Sequence, residues 1–511
     1  MSTAALLSFL LAAVTMGALA LLGRRLPGGG AYQVALGWVD LVLALGAGLA
    51  TMLLGAWVLG PASLDGGVVT GADFQEYCAS VATLRGDLPA HHYAMRSQAP
   101  GLLPGLLAGP LGVVDGLALA SLLGSGLVGA ALYGWGRALH GRVAGLCAAG
   151  FGLAMPALAV APRVLSFYPL ITGLLVAATA CATLAMRART GLGLAVGGVG
   201  VALALLADGI GLIWALPCLA VVLVAALRAP RRRWPLRLAL ALLPVVLSLG
   251  VGRWAYAPTH PLETQLSIMV RTNSAAGPGG PPEAEVGGYR WGWSNPLAVP
   301  ASLGRLWQRS RQAGQHLQDG QEVRQARARH VSPWLPLLAV ALVPAALALR
   351  RRPWLLLALG LGCLPFAAML QRAASMETNL RFLILSMPFV PLLLGLALAW
   401  ALEGPVGAAP PATPASPAPR WARALRPGIA LLLLALLILG PGLTPLSARW
   451  SGRAPFPAVN DAATAVSFAR TGQRRPNPEI PACTEALVRD AQRGTPQASR
   501  LYGDLQRAER P

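Results

Sequence analysis

The residues best suited to chemistry are concentrated in one stretch, PASLDGGVVTGADFQEYCASVATLRGDLPAHHYAMRSQAP, residues 61–100. It holds the carboxylates Asp65, Asp73, Glu76 and Asp87, the imidazoles His91 and His92, the phenol Tyr77 and the guanidinium Arg96. A carboxylate here can take the proton of an attacking hydroxyl. A guanidinium matches phosphate oxygens two at a time and stays charged where water is scarce. Tyr77, His91 and His92 can hydrogen-bond a polyhydroxylated ligand. Adjacent side chains diverge on most backbones, so His91 and His92 are not expected to grip one metal together; whether a divalent metal binds is left open. The spacing of Tyr77, Val81 and Leu84 predicts a short amphipathic helix over 76–84. Asp73, just ahead of it, equally fits the plainer role of a helix N-cap.

The elements that must position this loop belong to a membrane. Of the 511 residues 55% are hydrophobic and 12% charged, against about 25% charged in soluble domains. That excludes an ordinary globular enzyme, a disordered chain and a disulfide scaffold. Apolar runs of roughly 20 residues, the length of one span, predict an all-α polytopic transmembrane bundle of about twelve helices. We place them near 4–22, 34–60, 116–136, 143–161, 165–186, 191–207, 209–227, 235–255, 333–349, 353–371, 382–402 and 427–446. The run PGLLPGLLAGP, residues 100–110, is too short and Pro-broken to span and is expected to lie at the interface.

The net charge is +21, and all 41 basic residues are Arg. Nucleic acid is not the expected partner, because many of the Arg sit in pairs and triplets beside apolar runs. Arg24-Arg25, Arg137 and Arg142, Arg187 and Arg189, Arg228 to Arg233, Arg350 to Arg352, and Arg420, Arg423 and Arg426 all fall on one side if the helices alternate. The positive-inside rule makes that side cytoplasmic and puts both termini outside. The first loop, the turn at 158–164, the long segment 256–332, the turn at 372–381 and the tail are then external. Residues 1–447 are read as one transmembrane domain, with outer loops 61–115 and 256–332 and an inner Pro/Ala linker at 403–426. Residues 448–511 form a polar tail, expected to be periplasmic, with room for a small helix near 481–494.

Other residues have two readings each. Arg163, Arg372 and Arg381 fall at outer boundaries, as phosphate ligands or as snorkelling interfacial anchors. Asp40 lies inside an apolar run and is either a functional carboxylate or an interfacial one beside Trp38. Asp208 reads as a turn residue with Gly209. The aromatics of the long outer segment can cover an acceptor or form the interfacial belt. Cys147, Cys181, Cys218 and Cys363 read as small core residues. Cys78 and Cys483 share the outer side, where a disulfide could form.

The loop resembles the first outer loop of the GT-C superfamily of integral membrane glycosyltransferases. It is most similar to that of family 39, with its protein O-mannosyltransferases and lipid A aminoarabinose transferases, and to the related rhizobial lipopolysaccharide sugar transferases. Asp73, Tyr77, Ala79, Leu84 and Gly86 follow that family's order, and Pro100, Gly101 and Pro104 match the start of its interfacial segment. RVLSFYP, residues 163–169, resembles the family's outer turn, and NLRFLILSMPFVPLL, residues 379–393, its boundary Arg followed by an apolar helix. Phe74 stands where a Glu commonly follows the Asp, leaving Glu76 as the substitute, and a second acidic motif is missing from the next outer loop.

The resemblance implies inverting transfer of a hexose or pentose from a polyprenyl-phosphate donor to an envelope lipid, glycan or protein. The active site would face the periplasm or exterior of a bacterial inner membrane. Asp73 or Glu76 would act as base, Arg381, Arg372, Arg163 and Arg96 would hold the donor phosphate, and Tyr77, His91 and His92 would contact sugar or acceptor. The expected partners are membrane lipids, the lipid-linked donor and the acceptor. Two other classes remain open: a transporter or flippase of lipid-linked substrates, and a non-catalytic envelope scaffold of the same fold.

Overall fold

The computed structural model describes residues 38–59, 68–69, 98–111, 113–155, 158, 161–188, 191–207, 211–256, 334–375, 380–406 and 420–439. Among these the chain is an all-α bundle. In chain order the helices are α1 Trp38–Leu59, α2 Gln98–Leu111, α3 Val113–Leu139, α4 Arg142–Ala154, α5 Tyr168–Ala188, α6 Gly191–Ala207 and α7 Leu212–Leu227. Then come α8 Trp234–Tyr256, α9 Trp334–Leu349, α10 Pro353–Ser375, α11 Leu380–Ser386, α12 Phe389–Glu403 and α13 Arg420–Leu439. Helix is what such runs must form in lipid, where a backbone N–H or C=O without an internal partner finds no water. Five stretches are long and apolar enough to cross a membrane by length and composition: Asp115–Leu139, Tyr168–Arg187, Arg231–Gly250, Pro353–Leu370 and Leu383–Glu403.

Burial follows the faces. On α1, Trp38, Leu41, Val42, Leu45, Leu49 and Leu53 point outward, while Asp40, Ala47 and Thr51 are buried. The outward face is as apolar as the core, which suits a lipid solvent. At the centre, every residue of α12 from Phe389 to Ala401 is buried, wrapped by α4, α9 and α13. Small residues allow that close approach. A Cβ added at Gly395 of α12 would lie 2.6 Å from the Ala148 backbone nitrogen of α4, and one at Gly173 of α5 would lie 2.7 Å from the Gly124 carbonyl of α3. Buried hydroxyls return to their own helices: Thr51, Thr172, Thr179 and Thr183 each donate to the carbonyl four residues back, at 2.8–2.9 Å.

Three elements differ most from the sequence expectation. α4 stops at Ala154 instead of running to 161. The eleventh expected span is two pieces, α11 and α12, parted at Met387–Pro388, where proline cannot continue the hydrogen-bond ladder. α13 opens at Arg420, not 427, with Pro427 inside it. The run at residues 100–110 meets its expectation: it is a helix, α2, of 14 residues, about 21 Å at 1.5 Å per residue and short of the roughly 30 Å hydrocarbon layer. It turns directly into α3 and folds back on it, with a Cβ at Gly116 meeting the Ala108 backbone at 2.7 Å.

Candidate functional site

The ends of the helices sort into two layers. One gathers the Arg-bearing ends. Asp40, in the first turn of α1, is buried and receives three side chains. The Tyr133 hydroxyl donates to Oδ1 at 2.9 Å. Arg137 and Arg142 each donate Nε to Oδ1 at 2.9 Å and a terminal nitrogen to Oδ2 at 3.4 Å. Five donors leave this carboxylate no ready lone pair for an incoming proton, so its chemistry is cohesion: it fastens the start of α1 to the α3–α4 turn. Sequence reading singled out Asp40, Arg137 and Arg142 one by one and missed Tyr133. The available signal was Tyr133 and Arg137 four residues apart on one helical face, facing the lone carboxylate of the preceding apolar run.

The same layer continues outward. The Arg187 guanidinium, at the end of α5, donates to the carbonyls of Ala138 and Leu139 at 3.0 Å, placing a cation on the negative end of α3. In the α3–α4 turn, buried His140 donates Nε2–H to the Gly404 carbonyl at 2.8 Å, while its Nδ1 lies 3.5 Å from Glu403 Oε2. Burial holds the imidazole below its ordinary range and Arg187 pushes the same way, against the opposing pull of the Gly404 carbonyl and Glu403. Gly404 ends α12 at φ +90° and ψ −167°, a conformation essentially reserved for glycine. Arg426 of α13 donates to the Ala401 carbonyl at 3.1 Å. This layer collects the helix ends that the Arg pattern assigned to one side.

The opposite layer holds the segments that adjoin the site expected from the sequence. Val68–Val69, from the loop after α1, pairs in parallel with Val164–Leu165, in the register Val68 to Val164 and Val69 to Leu165. The 3₁₀ turn Ala161–Arg163 leads directly into that second strand, and α5 follows at Tyr168. Ser166 fixes the corner: its carbonyl accepts from Ser121 at 2.5 Å and its Oγ from the Tyr168 N–H at 3.1 Å. α11, which carries Arg381 in its first turn, packs on α5 and α10. Arg372 lies in the last turn of α10. The segment bearing Arg163 packs on α3 and α1 and leads into α5, the helix on which the segment bearing Arg381 packs, and the loop after α1 is joined to the first of these segments. The side chains of Arg163, Arg372 and Arg381 are not among the described atoms, and Asp73, Glu76, Tyr77, His91, His92 and Arg96 lie outside the described residues. So do the expected helices 4–22, 76–84 and 481–494, Arg24-Arg25, Asp208, and Cys78 with Cys483. Asp115, in the first turn of α3, was not anticipated as a carboxylate of this layer. Among the described residues no three His, Cys, Asp or Glu side chains gather at metal distance.

No family model matches the chain, and no curated protein matches it in sequence. Among solved structures it is similar to the archaeal oligosaccharyltransferase AglB from Archaeoglobus fulgidus, in complex with an inhibitory peptide and a dolichol-phosphate. The identity is 15% and the TM-score 0.45, over 86% of this chain and 59% of that one. It is also similar to ArnT from Cupriavidus metallidurans bound to undecaprenyl phosphate, at 16% identity and a TM-score of 0.43, over 87% of this chain and 82% of that one. The chain thus spans 59% of the length of the oligosaccharyltransferase.

Proposed function

We propose that the chain is a membrane glycosyltransferase of the GT-C kind, nearest family 39 in the order of its loop residues, and that it moves a sugar from a polyprenyl-phosphate donor. The acceptor hydroxyl attacks the anomeric carbon from the face opposite the phosphate. Asp73 takes its proton, with Glu76 the nearest alternative, and the phosphate leaves with the electron pair of the broken bond, so the configuration inverts. Arg381, helped by Arg163, Arg372 and Arg96, neutralises that phosphate. Guanidinium groups held in a partly dry site do this well because they need little reorganisation as the charge develops. Tyr77, His91 and His92 hold sugar or acceptor. The acceptor is an envelope lipid, glycan or protein, the site faces the exterior of a bacterial inner membrane, and residues 1–447 form the catalytic domain with 448–511 as its tail.

The observation that carries this reading is the pairing of Val68–Val69 with Val164–Leu165. Asp73 follows Val69 by four residues, so the chain cannot carry it more than about 14 Å from that strand. Arg163 immediately precedes the partner strand. A candidate base and a candidate phosphate ligand, remote in sequence, are thereby tethered to one two-stranded clasp, with α11 against the helix that follows.

The test is transfer by the purified full chain in liposomes, using a panel of polyprenyl-phosphate hexoses and pentoses. The expected result is glycosylated product with inverted configuration and release of polyprenyl phosphate, without nucleotide sugar or an ion gradient. Movement of an intact lipid-linked sugar across the bilayer with no bond broken supports the transporter reading instead.

A further inference from the structure

The Arg-rich layer contains more cations than its acids can occupy. The turn from α7 to α8 reads RAPRRRWPLR, residues 228–237, and the turn from α9 to α10 reads RRRPW, residues 350–354, with no acid in either. The fold brings these turns together. The Arg228 guanidinium stacks over Trp354 at 4.8 Å and donates to the Met186 sulfur at 3.4 Å. Arg137 and Arg352 are electrostatic neighbours of Arg187. Among the described residues, Asp40 in this layer is engaged with Arg137 and Arg142, and Glu403 lies beside His140 at 3.5 Å. Arg231 to Arg233 and Arg350 are exposed and Arg351 is half-buried, and none of them pairs with an acid among the described residues.

The surface just below these charges is apolar and open: Leu227 and Leu236 beside the first turn, Trp354, Leu356 and Leu357 beside the second. α7 lies between α8 and α10, packed on both. Trp234 is fixed at the boundary by donating to the carbonyls of Ala229 and Leu227 at 2.8 and 3.1 Å, as expected of an aromatic at a headgroup. Clustered guanidinium groups above exposed leucine match a phosphodiester above an acyl chain.

We propose that α7, α8 and α10 together form a binding site for an anionic phospholipid of the leaflet at the Arg-rich end. Its phosphate is held between Arg231–Arg233 and Arg350–Arg351, and one acyl chain lies along the exposed leucines of α7 and α8. This site is at the other end of the bundle from the proposed donor site and does not depend on it. A positive-inside signal alone requires no such convergence: separate arginines in separate loops satisfy it equally.

The test uses the full chain in detergent, titrated with dioleoyl-phosphatidylglycerol or dioleoyl-phosphatidylcholine, with retained lipid counted by native mass spectrometry and thermal unfolding followed by tryptophan fluorescence. Wild type is expected to retain phosphatidylglycerol in preference to phosphatidylcholine and to melt higher as it binds. The variant R232Q/R233Q/R350Q/R351Q should need at least about tenfold more phosphatidylglycerol for the same rise, while the four-Lys variant keeps most of the wild-type response. Equal retention of the two lipids by wild type overturns the proposal. So does an unchanged titration in the Gln variant, or displacement of the lipid by millimolar inorganic phosphate, which would mark a soluble-anion site.

Discussion

At one end of the bundle a buried carboxylate, Asp40, is closed in by Tyr133, Arg137 and Arg142. At the other, the carboxylate proposed to react, Asp73, follows a two-residue strand clipped to Val164–Leu165. Both are carboxylates for which an arginine partner is expected from the sequence, and composition alone does not separate them. Partner geometry does. A carboxylate whose oxygens already accept five hydrogen bonds serves cohesion, because protonating it breaks the contacts that hold three helices. A base needs an oxygen free for the substrate, and a loop tethered at its start can offer one.

That contrast predicts opposite phenotypes. Asp73→Asn should cost about 10²–10⁴-fold in turnover, the usual worth of a general base, with little change in melting temperature; sugar transfer and thermal unfolding on the same preparation check both. Asp40→Asn should do the reverse. It leaves two guanidinium groups facing a neutral amide, and breaking a buried pair costs about 3 kcal/mol, the lower end of the usual range, because Arg142 is 49% exposed. Turnover per folded molecule should stay near wild type. A loss of transfer in Asp40→Asn that exceeds its loss of folded protein would dissolve the distinction.

Smaller effects sharpen the account of the cohesive end. Gly404→Ala forces a side chain onto φ +90° and should cost about 1–3 kcal/mol, seen as a lower melting temperature, since the same residue supplies the carbonyl that His140 uses. The pH dependence is smaller still and its sign is fixed. Burial depresses the His140 pKa, so just below the ordinary histidine value the unfolded chain binds a proton that the folded chain refuses. Stability is therefore full above about pH 6.5 and declines as pH falls through that value toward the folded pKa. His140→Gln, whose amide can still donate to the Gly404 carbonyl, should flatten this slope. A melting temperature that rises on acidification would contradict the burial argument.

How much was legible depends on which forces set each feature. Spans such as Gly191–Ala207 and Trp334–Leu349 were read within a residue or two, because uninterrupted apolar length is a local property. The grouping of helix ends was legible too, since arginine pairs sit in every second connection. The break at Met387–Pro388 hid inside an apolar run, and the early start of α13 hid behind Pro427, which lies in the helix interior, where proline more often marks an end. The Asp40 cluster was visible only as unconnected parts, for a lone Asp does not announce which of several arginines it will meet. The β-clasp left no signal at all. Two residues on each strand carry no periodicity, and their pairing comes from tertiary placement of the loops. Whether Asp73 and Arg381 meet belongs to the same category, being long-range and set by no local pattern.

Cross-linking between positions 73 and 381 tests that meeting most directly. In a cysteine-free background, cysteines at 73 and 381 are treated with a short bifunctional maleimide in native membranes, beside a control pair at 69 and 165, whose backbones are in register. The account predicts efficient cross-linking of both pairs. Cross-linking of the control pair with none between 73 and 381 would contradict a shared site and with it the proposed mechanism.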